Sequence, residues 1–152
     1  MPLHMNDPLP DLDGATEWLN SEPLTRDDCA GQPVLFHWWA ISCPICKELM
    51  PTVLEWRERY GDRGLRFVGV HMPRSPEDTD VEKVRSTSEE LSLSHPQAID
   101  NLHKLTQAFG NEHRFVPAFY LFDADGRLRA YRAGEKAPAP IEEAIERVLK
   151  AD

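Results

Sequence analysis

The chain has 152 residues, the length of one ordinary domain, and is 41% hydrophobic with four Trp, six Phe and three Tyr, enough apolar material for a single core. Its net charge of −9 argues against nucleic acid or an anionic membrane as the main partner. No apolar run approaches the roughly 18 residues that a membrane helix needs, and residues 1–10 carry neither a basic nor an apolar leader region, so a cytoplasmic location is expected.

Taken in chain order, residues 1–14 are rich in Pro, Asp and Gly and read as an extended lead-in. Thr16–Asn20 is a candidate short strand. Thr25 followed by Asp28 is a helix-start signal. Gly31 and Pro33 then break the chain before an apolar strand, Val34–Trp39, with Leu35, His37 and Trp39 on one face and Phe36 and Trp38 on the other. Pro44–Tyr60 reads as a helix with Ile45, Leu49, Val53, Trp56 and Tyr60 on one stripe and a kink expected at Pro51. Leu65–His71 reads as a strand parallel to the first, which completes a βαβ unit.

Met72–Thr79 is a Pro-punctuated loop, Asp80–Leu91 a mostly polar helix, and Pro96–Asp100 a possible short strand. Asn101–Phe109 reads as a helix with Leu102, Leu105 and Phe109 on one side. Ala118–Phe122, the turn Asp123-Ala-Asp-Gly126 and Arg127–Arg132 form a hairpin. Pro140–Lys150 closes the chain as an amphipathic helix, with Ile141, Ala144, Ile145, Val148 and Leu149 on its stripe. There is no internal repeat and no linker, so residues 1–152 are expected to form a single domain.

Chemistry enters at Cys43-Pro44-Ile45-Cys46. Two thiols three positions apart suit thiol–disulfide exchange, in which one attacks and the other resolves the mixed disulfide. Cys43 falls at the predicted helix N-terminus, where unpaired N–H groups and the helix dipole favour thiolate over thiol. The chain holds three cysteines, and the odd one, Cys29, reads as a small buried hydrophobe. A structural zinc site needs about four ligands, and Cys29, His71, His103 and His113 show no ligand-like spacing to the pair.

Three further features coincide with the pair: Trp39 four residues before Cys43, Pro51 five residues after Cys46, and Val116-Pro117 opening the hairpin. Together they resemble the thioredoxin superfamily, and the insertion between Val70 and Val116 resembles its TlpA/ResA-like thiol–disulfide oxidoreductases. The segments His37–Cys43, Val70–Ser75 and Val116–Tyr120 look closer still to the cytosolic YkuV type. The resemblance implies an α/β thioredoxin-like fold, a central mixed sheet flanked by helices. It implies that Cys43 attacks and the more buried Cys46 resolves, and that Pro117 is a cis-proline facing the disulfide, which lacks an N–H that could compete for the sulfurs. It further implies that Val116 pairs with an extended substrate segment, and that Pro44 and Ile45 tune the redox balance.

Two departures matter. The buried Asp of thioredoxin, six residues before the first cysteine, is here His37, and the ResA-type Glu, three residues after the second, is here Leu49. His37 is therefore either a proton relay for Cys46 or a core histidine bonded to backbone. Trp39 either shapes the substrate surface or is ordinary core. Lys47 adds a positive charge near the pair, but reads first as a solvated surface lysine. Glu77, Asp78, Asp80, Glu82, Glu89 and Glu90 read as a solvated acidic face, His95 and His103 as surface residues, and His71 as a strand-end residue of open role.

The function expected is exchange of a Cys43–Cys46 disulfide or dithiol with protein disulfides, as a reductase, served by an upstream thiol reductant. No cofactor is expected beyond the disulfide, no metal, and no oligomer. The alternatives are a thiol peroxidase, against which Ala40 stands where peroxiredoxins carry Thr, and a non-catalytic thioredoxin-fold binding module holding a partner or a soft metal.

Overall fold

A computed structural model describes residues 3–150. Ten elements follow one another: β1 (Glu17–Leu19), β2 (Val34–Trp39), α1 (Pro44–Gly61), β3 (Arg66–His71), α2 (Val81–Glu90), β4 (Gln97–Ile99), α3 (Lys104–Ala108), β5 (Ala118–Phe122), β6 (Leu128–Ala133) and α4 (Pro138–Lys150). The strands form one six-stranded mixed sheet in the order β1-β4-β3-β2-β5-β6. The β2, β3 and β4 strands run parallel, while β5 is antiparallel to β2 and to β6, and β1 is antiparallel to β4.

Strand β2 is buried along its whole length because both faces of the sheet are covered. On one face Leu35 packs with Val53, Trp56 and Tyr60 of α1 and with Ile141, Ala144 and Ile145 of α4. Polar bonds reinforce this layer: Trp56 Nε1 donates to Glu142 Oε1 at 2.8 Å and Tyr60 OH to Glu146 Oε2 at 2.8 Å. On the other face Phe36 and Trp38 pack with Phe109, Tyr120 and Phe122, and with Leu9 and Leu12 of the lead-in. Burial of each large apolar side chain contributes about 1.5–3 kcal/mol, so the lead-in is part of the core; its first two residues lie outside the described set. Cys29 is a free thiol buried in the same layer, and desolvation pushes its pKa up.

Four sequence expectations need correction. Ile45 is exposed at 38%, and the buried stripe of α1 is Cys46, Met50, Val53, Trp56 and Tyr60, because the stripe must start from the thiol that faces inward. Helix α3 is shorter than residues 101–109. His103 has a left-handed backbone (φ 58°), which stops the helix there and leaves Leu102 exposed. The start of α3 is held by Asp100 instead: its Oδ1 accepts from Leu105 N at 2.9 Å, and its Oδ2 accepts from Thr106 N at 2.9 Å and from Thr106 Oγ1 at 2.6 Å. Asp78 is buried rather than part of a solvated face, and His95 is buried rather than on the surface.

The signal at Thr25 yields a single 3-10 turn, Asp27–Cys29, closed by reciprocal bonds between Thr25 and Asp28. Gly69 in β3 stands opposite Gln97 in β4. A Cβ on Gly69 would lie 2.0 Å from Gln97 Oε1, so only glycine admits that carboxamide.

Candidate active site

Cys43 and Cys46 are joined as a disulfide, with their Cα atoms 5.3 Å apart. Strand β2 ends at Trp39, and Pro44 opens α1 as its first residue, where a missing N–H costs nothing. Cys43 is the N-cap, and its Sγ accepts the backbone N–H of Cys46 at 3.1 Å. That N–H is one of the unpaired donors of the helix start, so it and the helix dipole stabilise negative charge on the Cys43 sulfur. Cys43 is 3% exposed and Cys46 1%.

The Val116–Pro117 peptide is cis, and the Val116 carbonyl oxygen lies 3.9 Å from Cys43 Sγ. Val116 precedes β5, and its N–H has no partner among the described residues. The loop before it is rigid: Asn111 Oδ1 accepts from Phe115 N and Asn111 Nδ2 donates to Phe115 O, both at 3.0 Å. Ile45, between the two cysteines, and Phe115, directly before Val116, are exposed at 38% and 49%.

Trp39 is fully buried in the cluster that holds both cysteines and Met50. Its Nε1 donates to Gln97 Oε1 at 2.9 Å, and its ring meets His71 edge-on at 4.9 Å between centroids. His37 is buried on the same face of β2 and bonds no cysteine. Its Nε2 is 2.7 Å from His95 Nε2, and Arg57 NH1 lies 3.1 Å from His95 Nδ1. An arginine can only donate, so Nδ1 of His95 accepts, His95 Nε2–H donates to His37 Nε2, and His37 holds its proton on Nδ1. Burial, then the Arg57 charge, pulls the His37 pKa down to about 3, and burial with His37 and Arg57 holds His95 well below its ordinary value.

Several residues without an assigned role in the sequence hold the turn that presents Cys43. His71 Nε2 accepts from Ile41 N at 3.0 Å, and burial pulls this imidazole down to about 4 against the opposing pull of Asp78. Asp78 Oδ2 accepts from Ser42 Oγ at 2.7 Å and from Arg74 N at 2.9 Å. Arg74 donates back to Ser42 through Nε, at 3.2 Å, and through NH2 to the Ser42 carbonyl. The available signal was position: His71 and Arg74 sit at and just beyond the carboxyl end of a parallel strand, the edge where α/β sheets build their sites. Lys47 is exposed on α1. Among the described residues no group of three or more His, Cys, Asp or Glu is placed to hold a metal ion, and no helix is long and apolar enough to cross a membrane.

Residues 5–149 match the Redoxin family model. The chain belongs to the Redoxin family. This Redoxin-family chain is 44% identical over 148 residues to the thiol-disulfide oxidoreductase YkuV of Bacillus subtilis (strain 168), covering 97% of each. It is 36% identical over 129 residues to protein DipZ of Mycobacterium tuberculosis (strain CDC 1551 / Oshkosh), which is 83% of this chain and 18% of that one. The solution structure of a thioredoxin-like protein in the oxidized form superposes with a TM-score of 0.88 at 43% identity, covering 98% of this chain and 99% of that one. A thiol:disulfide interchange protein of the thioredoxin family from Chlorobium tepidum TLS shares the fold, with a TM-score of 0.75 at 19% identity over 96% of this chain and 98% of the other. The Redoxin chain is thus a thioredoxin-like protein-disulfide oxidoreductase, and its substrates as a class are proteins that carry disulfides.

Proposed function

We propose that the protein works as a cytoplasmic reductase of protein disulfides, with Cys43 as nucleophile and Cys46 as resolving thiol. The observation that carries the assignment is the Cys46 N–H directed at Cys43 Sγ, at the start of α1 and beside the unpaired Val116 edge. The Cys43 thiolate attacks one sulfur of the substrate disulfide, the substrate S–S bond breaks, and one substrate thiolate leaves and takes a proton from water. Cys46, once deprotonated, attacks Cys43 Sγ, breaks the mixed disulfide and expels the second substrate thiolate. Two electrons have then passed to the substrate, and an upstream thiol reductant restores the dithiol. The exchange runs through the two sulfurs alone, with no bound cofactor or metal, and one copy of the chain carries the whole site.

Val116 pairs with the extended substrate segment through its free N–H and carbonyl, and Pro117 withholds a donor that would compete for the sulfurs. Trp39, pinned by Gln97, forms the floor under the pair. Pro44 and Ile45 bring no charge between the cysteines, so thiolate stabilisation rests on one N–H and the helix dipole, which suits a low potential and the reducing direction. The role we assign to His37 is structural. Its lone pair is occupied by His95 and its low pKa makes it a poor base, so water carries the Cys46 proton.

The test is thiol trapping. Cys46→Ser accumulates mixed disulfides with oxidised protein substrates, whereas Cys43→Ser forms none. Trapping through Cys46 in the Cys43→Ser variant would reverse the roles. A reduction potential near about −270 mV supports the reducing direction, and one near about −120 mV overturns it.

A further inference from the structure

A second site adjoins the disulfide. A cleft of about 430 Å³ is lined by residues 72–76 together with Thr79, Asn101, His103 and Arg114, and no carboxylate is among these residues. Both walls connect to the redox pair. Arg74 bonds Ser42, the residue before Cys43, through Nε at 3.2 Å. Arg114 stands two residues before Val116, whose carbonyl faces Cys43 Sγ.

The two guanidiniums are exposed and neither forms an ion pair with another described residue. The neighbouring acids are committed elsewhere or lie outside the cleft. Asp78 is buried on Ser42 and on the Arg74 N–H, Glu77 is exposed outside the lining, and Glu112 has a partner of its own. His103 Nε2 donates to the Pro73 carbonyl at 3.0 Å, which ties the cleft wall to the loop before α3. Arg114 has a left-handed backbone (φ 54°), its own N–H donates to the Asn111 carbonyl at 3.0 Å, and the next residue, Phe115, is held by the Asn111 side chain, so the Arg114 side chain is delivered from a fixed point. On a chain of net charge −9, a cationic cleft at the reactive edge is against the general trend of the surface.

We propose that this cleft selects the substrate: an extended, acidic segment of a disulfide-bearing protein, whose carboxylates meet Arg74 and Arg114 while its backbone pairs with Val116 and its disulfide reaches Cys43. The proposal deepens the reductase reading and rests on it. Charge complementarity of this kind raises the association rate and is screened by salt.

The experiment uses the pre-reduced full chain and two synthetic peptides, each closed by one intramolecular disulfide. One has Asp and Glu beside its cysteines, and the other has Asn and Gln in the same places. Second-order rate constants for peptide reduction are read by acid quench. In low salt the acidic peptide reacts about five- to tenfold faster, as two exposed charge pairs allow. The ratio falls toward one in about 0.5 M NaCl and in the Arg74→Gln, Arg114→Asn double variant. The asparagine tolerates the left-handed backbone at 114. A ratio of one in the wild type, or a ratio unchanged in the double variant, overturns the acidic-segment proposal and leaves the reductase reading standing. Reduction of neither peptide overturns the reductase reading and this proposal with it.

Discussion

His71 Nε2 accepts the backbone N–H of Ile41 across 3.0 Å, joining the end of β3 to the turn that delivers Cys43. An imidazolium has no lone pair, so the bond exists only while His71 is neutral, and burial keeps it so by drawing its pKa down to about 4. His71→Leu leaves a buried N–H unpaired, at a cost of about 1–3 kcal/mol. It also frees the turn, so the apparent pKa of Cys43, read from the pH dependence of its alkylation, rises. His71→Gln returns an acceptor and recovers part of both effects. If Leu and Gln behave alike in both measurements, the hydrogen bond is not what His71 supplies.

Stability falls in mild acid because three histidines are buried in neutral form. The folded pKa values of His37 (about 3) and His71 (about 4) lie below the unfolded value of 6.5, and His95 is also held low. Below about pH 6.5 the unfolded chain therefore binds more protons than the folded one. Stability is fully present above that value and is lost as pH falls toward the folded pKa values, at about 1.4 kcal/mol per pH unit for each imidazole. Urea denaturation between about pH 7.5 and 5 measures this slope. The His37→Gln variant, which keeps an acceptor for His95, shows a shallower slope by one proton. An equal slope in wild type and variant would refute the assignment.

Gly69→Ala drives a Cβ to 2.0 Å from Gln97 Oε1 and 2.5 Å from its Cδ. The carboxamide must leave its place over β3 and release Trp39 Nε1, for about 1–3 kcal/mol of overpacking. Adding Gln97→Ala removes the clash, so the double variant is more stable than the sum of the single effects predicts. Strict additivity by chemical denaturation would show that the two residues do not meet.

Asp100 takes the place of the side-chain cap that His103 does not provide for α3. It also orients Thr106, whose Oγ1 accepts from Trp38 Nε1 at 3.1 Å. Asp100→Ala should lose about 1.5–3 kcal/mol, as expected for a carboxylate with several donors, and Asp100→Asn less. Hydrogen exchange at the Leu105 and Thr106 amides locates the loss, and unchanged protection there would count against the capping role.

Elements with strong periodicity and firm punctuation were readable from residues alone: the buried strand before the thiols, the helix after them, and the hairpin around Asp123–Gly126. The thiol pair was readable from residue type and spacing, and the cis Val116–Pro117 bond only through the resemblance to the thioredoxin superfamily. The positioning shell was not. His37 meets His95 across 58 residues and Trp39 meets Gln97 across the same separation, and neither bond leaves a periodic trace. Asp78 and His95 looked solvated because charged and polar residues usually are, and only tertiary partners enclose them, Ser42 and Arg74 at Asp78, and His37, Arg57 and Phe67 at His95. Leu102 misled in the opposite sense, since an apolar residue at helical spacing lies outside a helix that His103 prevents from starting earlier.

Cys29 lies 4% exposed in the same core layer as Leu9 and Leu12 of the lead-in, with its thiol pushed up by burial. It is a silent passenger in the redox cycle and, for that reason, a built-in gauge. An alkylating reagent added to the reduced native protein can reach this sulfur only when the layer it shares with Leu9 and Leu12 opens. The third label therefore arrives on the timescale of that local opening, and its rate weighs the anchoring of Leu9 and Leu12 separately from the chemistry at the other end of β2.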